Sequence, residues 1–331
     1  MFSLSSCNIN LLSQEKIETT TIQIVTTEDY TVPTPMLEGN YDVTFVCNNG
    51  YTYSSKTTST NKILEPENPT KECATFVGWY TSNEYKDKFD FSNSVTEDTI
   101  LYAKWNIDYV SLFNKVSTEY ITSNVRIFIT NYDKSGFPMS TMKNATTSLG
   151  SGVIFHENYG YYYALTNNHV VYTKQEYQDL TVEDAYETEY TFDIIASSAE
   201  YDLAIIRFRK QTELKVLNLA NYEVPKGDLV FAMGEPGGLS NTISMGYILG
   251  SKVFTPEKET LELSNVQFNV YLSSAPIDSG SSGGALIDSN LKLVGINFAS
   301  GVDKDTNEFK YTYTIPIDKV KEYVTKYIII E

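Results

Sequence analysis

The stretch Asp278-Ser279-Gly280-Ser281-Ser282-Gly283-Gly284-Ala285-Leu286 decides how the rest of this sequence is read. Its glycines let the backbone curl tightly enough for the N–H groups of Gly280 and Ser282 to converge on one point. Ala285-Leu286-Ile287 then enters an apolar strand. Taken alone, the string equally describes a flexible glycine-serine loop. Chemistry supplies the discriminating question. A serine hydroxyl is a poor nucleophile until a base takes its proton, and a histidine held by a buried carboxylate is such a base. Negative charge that develops on a substrate oxygen needs fixed N–H donors. The stretch therefore directs the search to one histidine and one aspartate, each on a turn beside strands.

Only two histidines exist. Gly150-Ser151-Gly152-Val153-Ile154-Phe155 reads as a strand, Asn158-Tyr159-Gly160 as a turn, and Tyr163-Ala164-Leu165-Thr166-Asn167-Asn168-His169-Val170-Val171 as a second strand running into His169. His156 lacks such flanks and is expected to be a surface residue on a turn. The aspartate is Asp202 in Tyr201-Asp202-Leu203-Ala204-Ile205-Ile206, expected to start a strand whose apolar residues anchor it under the imidazole.

These segments resemble the trypsin-like serine proteases, and in detail the HtrA (Deg) type. Gly280-x-Ser282-Gly283-Gly284 is similar to the trypsin-type nucleophile loop. Gly-Ser-Gly followed by Leu-Thr-Asn-x-His-Val-Val, and Asp-Leu-Ala-Ile, are similar to HtrA signatures. So are Gly234-Glu235-Pro236-Gly237-Gly238-Leu239, where the family has Gly-Asn-Pro-x-Gly-Leu, and Leu293-Val294-Gly295-Ile296-Asn297. The order His, Asp, Ser is that of chymotrypsin-like double barrels, whereas α/β-hydrolases and subtilisins run differently. The resemblance implies a catalytic triad of His169, Asp202 and Ser282. It also implies an oxyanion hole formed by the backbone N–H groups of Gly280 and Ser282. By the same analogy Pro276 lies at the base of the specificity pocket and Phe298, Ala299 and Ser300 form its wall. Pro276 carries no charge, so small or medium apolar side chains are expected before the cleaved bond, with Asp278 as a complication if it points inward. The residue before the nucleophile is Ser281 where the family has Asn. The resemblance is to an HtrA-type protease without its PDZ domain.

Upstream, residues 41–105 contain Tyr41-Asp42-Val43-Thr44-Phe45-Val46, Thr75-Phe76-Val77-Gly78-Trp79-Tyr80, Phe89-Asp90-Phe91 and Thr99-Ile100-Leu101-Tyr102-Ala103-Lys104-Trp105. This series resembles the Listeria–Bacteroides, or internalin-type B, repeat, a small β-grasp-like module of bacterial surface proteins, which implies an extracellular setting. Both tryptophans fall here and are read as core residues. Cys73 stands where the repeat usually has glycine, and Cys47 and Cys73 are candidates for pairing in an oxidising compartment.

The expected fold is mostly β: a chymotrypsin-like double β-barrel with a C-terminal helix near Ile317–Tyr327, plus the N-terminal module. Abundant tyrosine and threonine suit strands. The expected divisions are residues 1–40 as a lipobox-like start and Thr-rich spacer, 41–106 as the repeat-like module, 107–124 as a linker or short helix acting as a hinge, and 125–331 as the protease domain. Leu4-Ser5-Ser6-Cys7 resembles a lipoprotein lipobox, which would place a membrane lipid anchor on Cys7. The net charge of −17 would repel phosphate backbones, so nucleic-acid binding is not expected. No cysteine lies after Cys73, no pair has zinc-ligand spacing, and no metal or cofactor is expected. The function expected is a serine endopeptidase at the bacterial cell surface acting on polypeptide substrates. The alternatives are an esterase on the same triad and a catalytically silent protease fold serving as a surface binding or adhesion protein. The oligomeric state stays open.

Overall fold

The computed structural model describes residues 39–132, 145–172, 178–256, 261–303, 306 and 308–328. Cys7, and with it the lipid-anchor expectation, lies outside them, as does most of the 1–40 spacer. Among the described residues no helix is long and apolar enough to cross a membrane.

The N-terminal unit is one sheet of β1 (Asp42–Val46), β2 (Thr52–Lys56), β3 (Ala74–Tyr80) and β4 (Thr99–Ile107), in the order β2-β1-β4-β3 with β1 and β4 parallel. Alternation puts Val43 and Phe45 of β1 and Leu101 and Ala103 of β4 on one buried face. Trp79 closes that face at 2% exposure, edge-on to Phe45 with ring centroids 4.9 Å apart. The Trp105 indole donates to Cys47 O at 2.8 Å. Both tryptophans therefore serve the module's own core.

Cys47 and Cys73, the candidates for pairing, are both free thiols. Cys47 belongs to the core of the module, whereas Cys73 packs against the separate core of the barrels. Cys73 has φ 52°, the left-handed region that explains why glycine is the usual residue there. Burial pushes the Cys47 thiol up to about 11. At pH 8 such a thiol is roughly 0.1% thiolate, and the thiolate is the reactive form. Cys47 should resist iodoacetamide in the folded protein at pH 8 and react fully in denaturant, as read by mass spectrometry. Rapid labelling without denaturant would mean that the end of β1 opens.

The first barrel comprises β5 (Asn124–Tyr132), β6 (Ala145–Asn158), β7 (Tyr161–Thr166), β8 (Gln178–Glu183), β9 (Glu189–Ser198) and β10 (Leu203–Arg209), closed in the order β10-β7-β6-β5-β8-β9. The second comprises β11 (Leu229–Gly234), β12 (Thr242–Val253), β13 (Asn269–Ser273), β14 (Ala285–Asp288), β15 (Leu293–Val302) and β16 (Phe309–Pro316), closed in the order β11-β12-β13-β16-β15-β14. Closure removes unpaired strand edges. The short hairpin between β6 and β7 turns at Tyr159 and Gly160, both at positive φ, as such tight turns require.

The apolar run of β10 is explained by burial on both faces. Ala204, Ile206 and Phe208 point into the first barrel with Ile127, Ile129 and Tyr162, while Leu203 and Ile205 join the core shared with the second barrel. Helix α1 (Tyr109–Thr118) occupies the segment expected to be a hinge, and its Leu112 and Val116 are buried in that same shared core. Lys71 adds a polar tie, donating to Asn48 O at 3.2 Å and Ser289 Oγ at 3.1 Å. The short helix α2 (Asn168–Val171) follows β7, and α3 (Ile317–Val324) caps the second barrel with Ile317, Val320, Tyr323 and Val324 buried. The expected C-terminal helix is thus present.

His156 corrects the surface expectation: it lies on β6 at 6% exposure. A register shift between Ile154 and His156 interrupts the strand's alternation, and the imidazole lies beside Tyr163, ring centroids 5.5 Å apart.

Candidate active site

Asp202 sits in the turn before β10 with φ 49°, a conformation that aspartate tolerates better than most residues. It is fully buried, and both carboxylate oxygens are used. Oδ1 accepts the His169 backbone N–H at 3.0 Å, and Oδ2 lies 2.8 Å from His169 Nδ1. Asn167 Nδ2 donates to Asp202 O at 2.8 Å, tying the aspartate turn to the residues before α2. The His169 ring stays partly accessible, its side chain 27% exposed.

The loop 278–284 comes from the second barrel and reaches the first. Ser151 N–H donates to Ser282 O at 2.8 Å. A Cβ built on Gly283, whose φ is 88°, would lie 2.1 Å from Ser151 O and 2.3 Å from Thr166 Oγ1. Only glycine allows that approach, which brings the Ser282 loop beside Ser151 of β6 and the end of β7 at Thr166, just before the helix that carries His169. Ser282 is half-buried, and its hydroxyl donates to Phe298 O at 3.3 Å. Among the described residues the N–H groups of Gly280 and Ser282 make no hydrogen bond.

The residues expected to form the specificity pocket are placed unevenly. Pro276 and Ser300 are exposed and Ala299 is half-buried. The Phe298 ring, 4% exposed, packs edge-on against Phe254 at 4.9 Å and lies 6.0 Å from Tyr313. Asp278 is exposed and turns back on its own loop, Oδ1 accepting Ser279 N–H at 2.7 Å.

One buried ionic group was not singled out by sequence reasoning. Glu235, 1% exposed, accepts from Asn124 Nδ2 at 2.5 Å, Asn241 N–H at 3.0 Å and Arg126 Nε at 3.1 Å. Burial pushes its carboxyl up, and the Asn241 N–H, the Arg126 guanidinium and the Asn124 amide pull it back in part. The only signal in the sequence was the glutamate itself, standing where the resembling loop has asparagine. Its partners on β5 are more than a hundred residues away in the chain.

Comparison with known proteins agrees with this architecture. Residues 150–296 match the trypsin-like peptidase domain, and residues 41–104 match the Listeria–Bacteroides repeat domain. A probable periplasmic serine endoprotease, DegP-like, of Buchnera aphidicola is 32% identical over 180 residues, 54% of this chain and 36% of that protein. The serine protease Do-like HtrA of Bacillus subtilis is 33% identical over 175 residues, 52% of this chain and 37% of that protein. The periplasmic pH-dependent serine endoprotease DegQ of Escherichia coli is 32% identical over 154 residues, 46% of this chain and 31% of that protein. Among solved structures, an HtrA-type protease with a tripeptide superposes with a TM-score of 0.50 at 27% identity, covering 66% of this chain and 64% of that one. This chain spans about a third of the length of the curated relatives it matches. It carries a trypsin-like peptidase domain related to the HtrA proteases, behind a Listeria–Bacteroides repeat.

Proposed function

We propose that this protein is a serine endopeptidase in which Ser282 is the nucleophile, His169 the base and Asp202 the residue that orients it. The observation that carries the reading is the Asp202–His169 pair at 2.8 Å beside a glycine-flanked serine with two uncommitted N–H groups. Asp202 Oδ2 accepts from Nδ1–H, which leaves the Nε2 lone pair for the serine proton. Attack on a peptide carbonyl requires the Ser282 hydroxyl to turn from Phe298 O towards that lone pair. The imidazolium then returns its proton to the leaving amine, an acyl-enzyme forms on Ser282, and water releases it by the same steps. The N–H groups of Gly280 and Ser282 are the donors for the tetrahedral oxyanion.

The test is reaction of the purified protein with a fluorophosphonate probe and cleavage of a peptide library, with Ser282→Ala as control. Labelling at Ser282 with peptide cleavage supports the endopeptidase. The hydroxyl's bond to Phe298 O, turned away from a base, is compatible with the second reading, a silent fold used for surface binding, and failure to label or cleave would remove the endopeptidase in its favour. Periplasmic relatives and the repeat module support a site of action outside the cytoplasm.

The specificity reading gives a separate prediction. Pro276 offers no charge, and Asp278 is committed to the Ser279 backbone. A lysine or arginine before the scissile bond would lose hydration without gaining an ionic partner. Library cleavage should favour small or medium apolar residues at that position. A profile dominated by lysine and arginine would contradict this and point to Asp278 as the acid of the pocket.

A further inference from the structure

The hydrogen bonds around Gly280 lead from the loop of the nucleophile to the buried carboxylate of Glu235. Ser279 O, in the peptide that carries the Gly280 N–H, accepts Gly237 N–H at 2.7 Å. Gly280 O, in the next peptide, accepts the Ser151 hydroxyl at 2.7 Å. That hydroxyl oxygen in turn accepts Glu235 N–H at 3.0 Å. Gly280 is thus held on both sides by one turn and one serine. The turn packs flush against it: a Cβ on Gly280, whose φ is 98°, would lie 2.3 Å from Glu235 O.

A trans peptide points its C=O and N–H in opposite directions. With Ser279 O fixed to Gly237, the Gly280 N–H must point away from the turn. It cannot swing round unless the bond to Gly237 breaks. The turn itself is closed by Gly238 N–H to Glu235 O at 3.0 Å. Its first residue is held by the glutamate side chain, whose two oxygens are bound to Asn124 and Arg126 of β5 and to Asn241 N–H. Arg126 is fixed in addition by Glu183 at 3.1 Å. The chain of contacts therefore runs from the wall of the first barrel, through Glu235 and Ser151, to the Gly280 peptide of the second.

We propose that Glu235 and Ser151 are positioning residues for the oxyanion hole: the glutamate, locked to Asn124 and Arg126, sets the 235–238 turn, and turn and serine together clamp the Gly280 peptide with its N–H outward. This rests on the endopeptidase reading above. A clamp of this kind acts on charge that exists only in the transition state, so its loss lowers kcat and spares KM.

The test uses the full chain and Ser151→Ala, which deletes one hydroxyl and leaves the Ser151 N–H bond to Ser282 O in place. kcat should fall on the order of 10- to 100-fold, less than the 10²–10³ cost of deleting a donor outright. KM should stay within about threefold. Affinity for a peptide boronic acid should drop by the same factor as kcat/KM, while binding of the uncleaved peptide, measured in the Ser282→Ala background, should hardly change. Glu235→Gln, which retains the shape and removes the charge facing Arg126, should shift the same parameters in the same direction. If Ser151→Ala turned over at the wild-type rate, the clamp would be refuted while the endopeptidase reading stood. A loss shared equally by peptide binding would likewise refute it, since a general distortion weakens the ground state too. A wild type that hydrolyses no peptide would remove the endopeptidase reading, and the clamp with it.

Discussion

Ser282→Ala should abolish peptide hydrolysis while leaving the fold intact, with kcat down by roughly 10⁶ if the enzyme follows the behaviour of triad proteases generally. The fold should survive because the side chain contributes one long hydrogen bond, to Phe298 O at 3.3 Å. The contacts that seat the loop are made by backbone: Ser282 O to Ser151 N–H, Gly283 N–H to Asn297 O at 2.9 Å, and Gly284 N–H to Ser281 O at 3.0 Å. Circular dichroism and the thermal midpoint should match the wild type. Active-site titration and peptide turnover measure the loss. A variant keeping a tenth of wild-type turnover would remove Ser282 from the role of nucleophile.

Asp202→Asn should retain the fold and lower kcat by roughly 10⁴. The reason lies in how both oxygens are used. Oδ1 accepts the His169 backbone N–H and Oδ2 faces Nδ1. An asparagine amide can match only one of these donors. If its NH₂ group faces Nδ1, the imidazole must carry its proton on Nε2 and has no lone pair for the serine. If its oxygen faces Nδ1, the NH₂ group opposes the backbone N–H in a fully buried site, an arrangement that costs about 1–3 kcal/mol. Either way the base is lost or misplaced. Steady-state kinetics with a peptide substrate would show this as a fall in kcat, and a loss smaller than tenfold would mean that Asp202 does not set the tautomer. His169→Ala should lose nearly as much as Ser282→Ala, because in the proposed triad the three groups would act as a unit.

Much of the molecule could be read from local pattern. The alternation in Val43 and Phe45, the glycines around Ser282, the turn at Tyr159-Gly160 and the helical spacing of Val320, Tyr323 and Val324 are short-range features, and each specifies its element without knowledge of the rest. The segments bearing His169, Asp202 and Ser282 stood out through their resemblance to HtrA signatures in the order His, Asp, Ser, since the glycine-serine string alone equally describes a flexible loop. His156 was misread because a bulge changes the facing of a residue without changing the composition around it. Whether Cys47 and Cys73 pair could not be read from the sequence, because two cysteines can lie in one module and still belong to two cores, and sequence spacing says nothing about distance. Within 107–124, read as a linker or short helix, the structure has α1, whose packing partner the sequence could not show. An amphipathic helix announces that it has an apolar face but not what that face will cover, and here Leu112 and Val116 join the core of the barrels.

By itself, then, the sequence determined the mostly β character, the turns and the residue types offered at each of them, which follow from periodicity and backbone preference over a few residues, while the two barrels and the module before them were implied by the resemblances its motifs carry. Tertiary structure alone decided the linkage of Glu235 to Asn124 and Arg126, the grip of Ser151 and Gly237 on the Gly280 peptide, and the seating of Asp202 on both nitrogens of His169 that face it. Those contacts join strands far apart in the chain, and their energies depend on distances and directions that closing the barrels creates. A buried carboxylate is tolerable only once its donors have been brought to it, so its partners become visible only in the folded molecule.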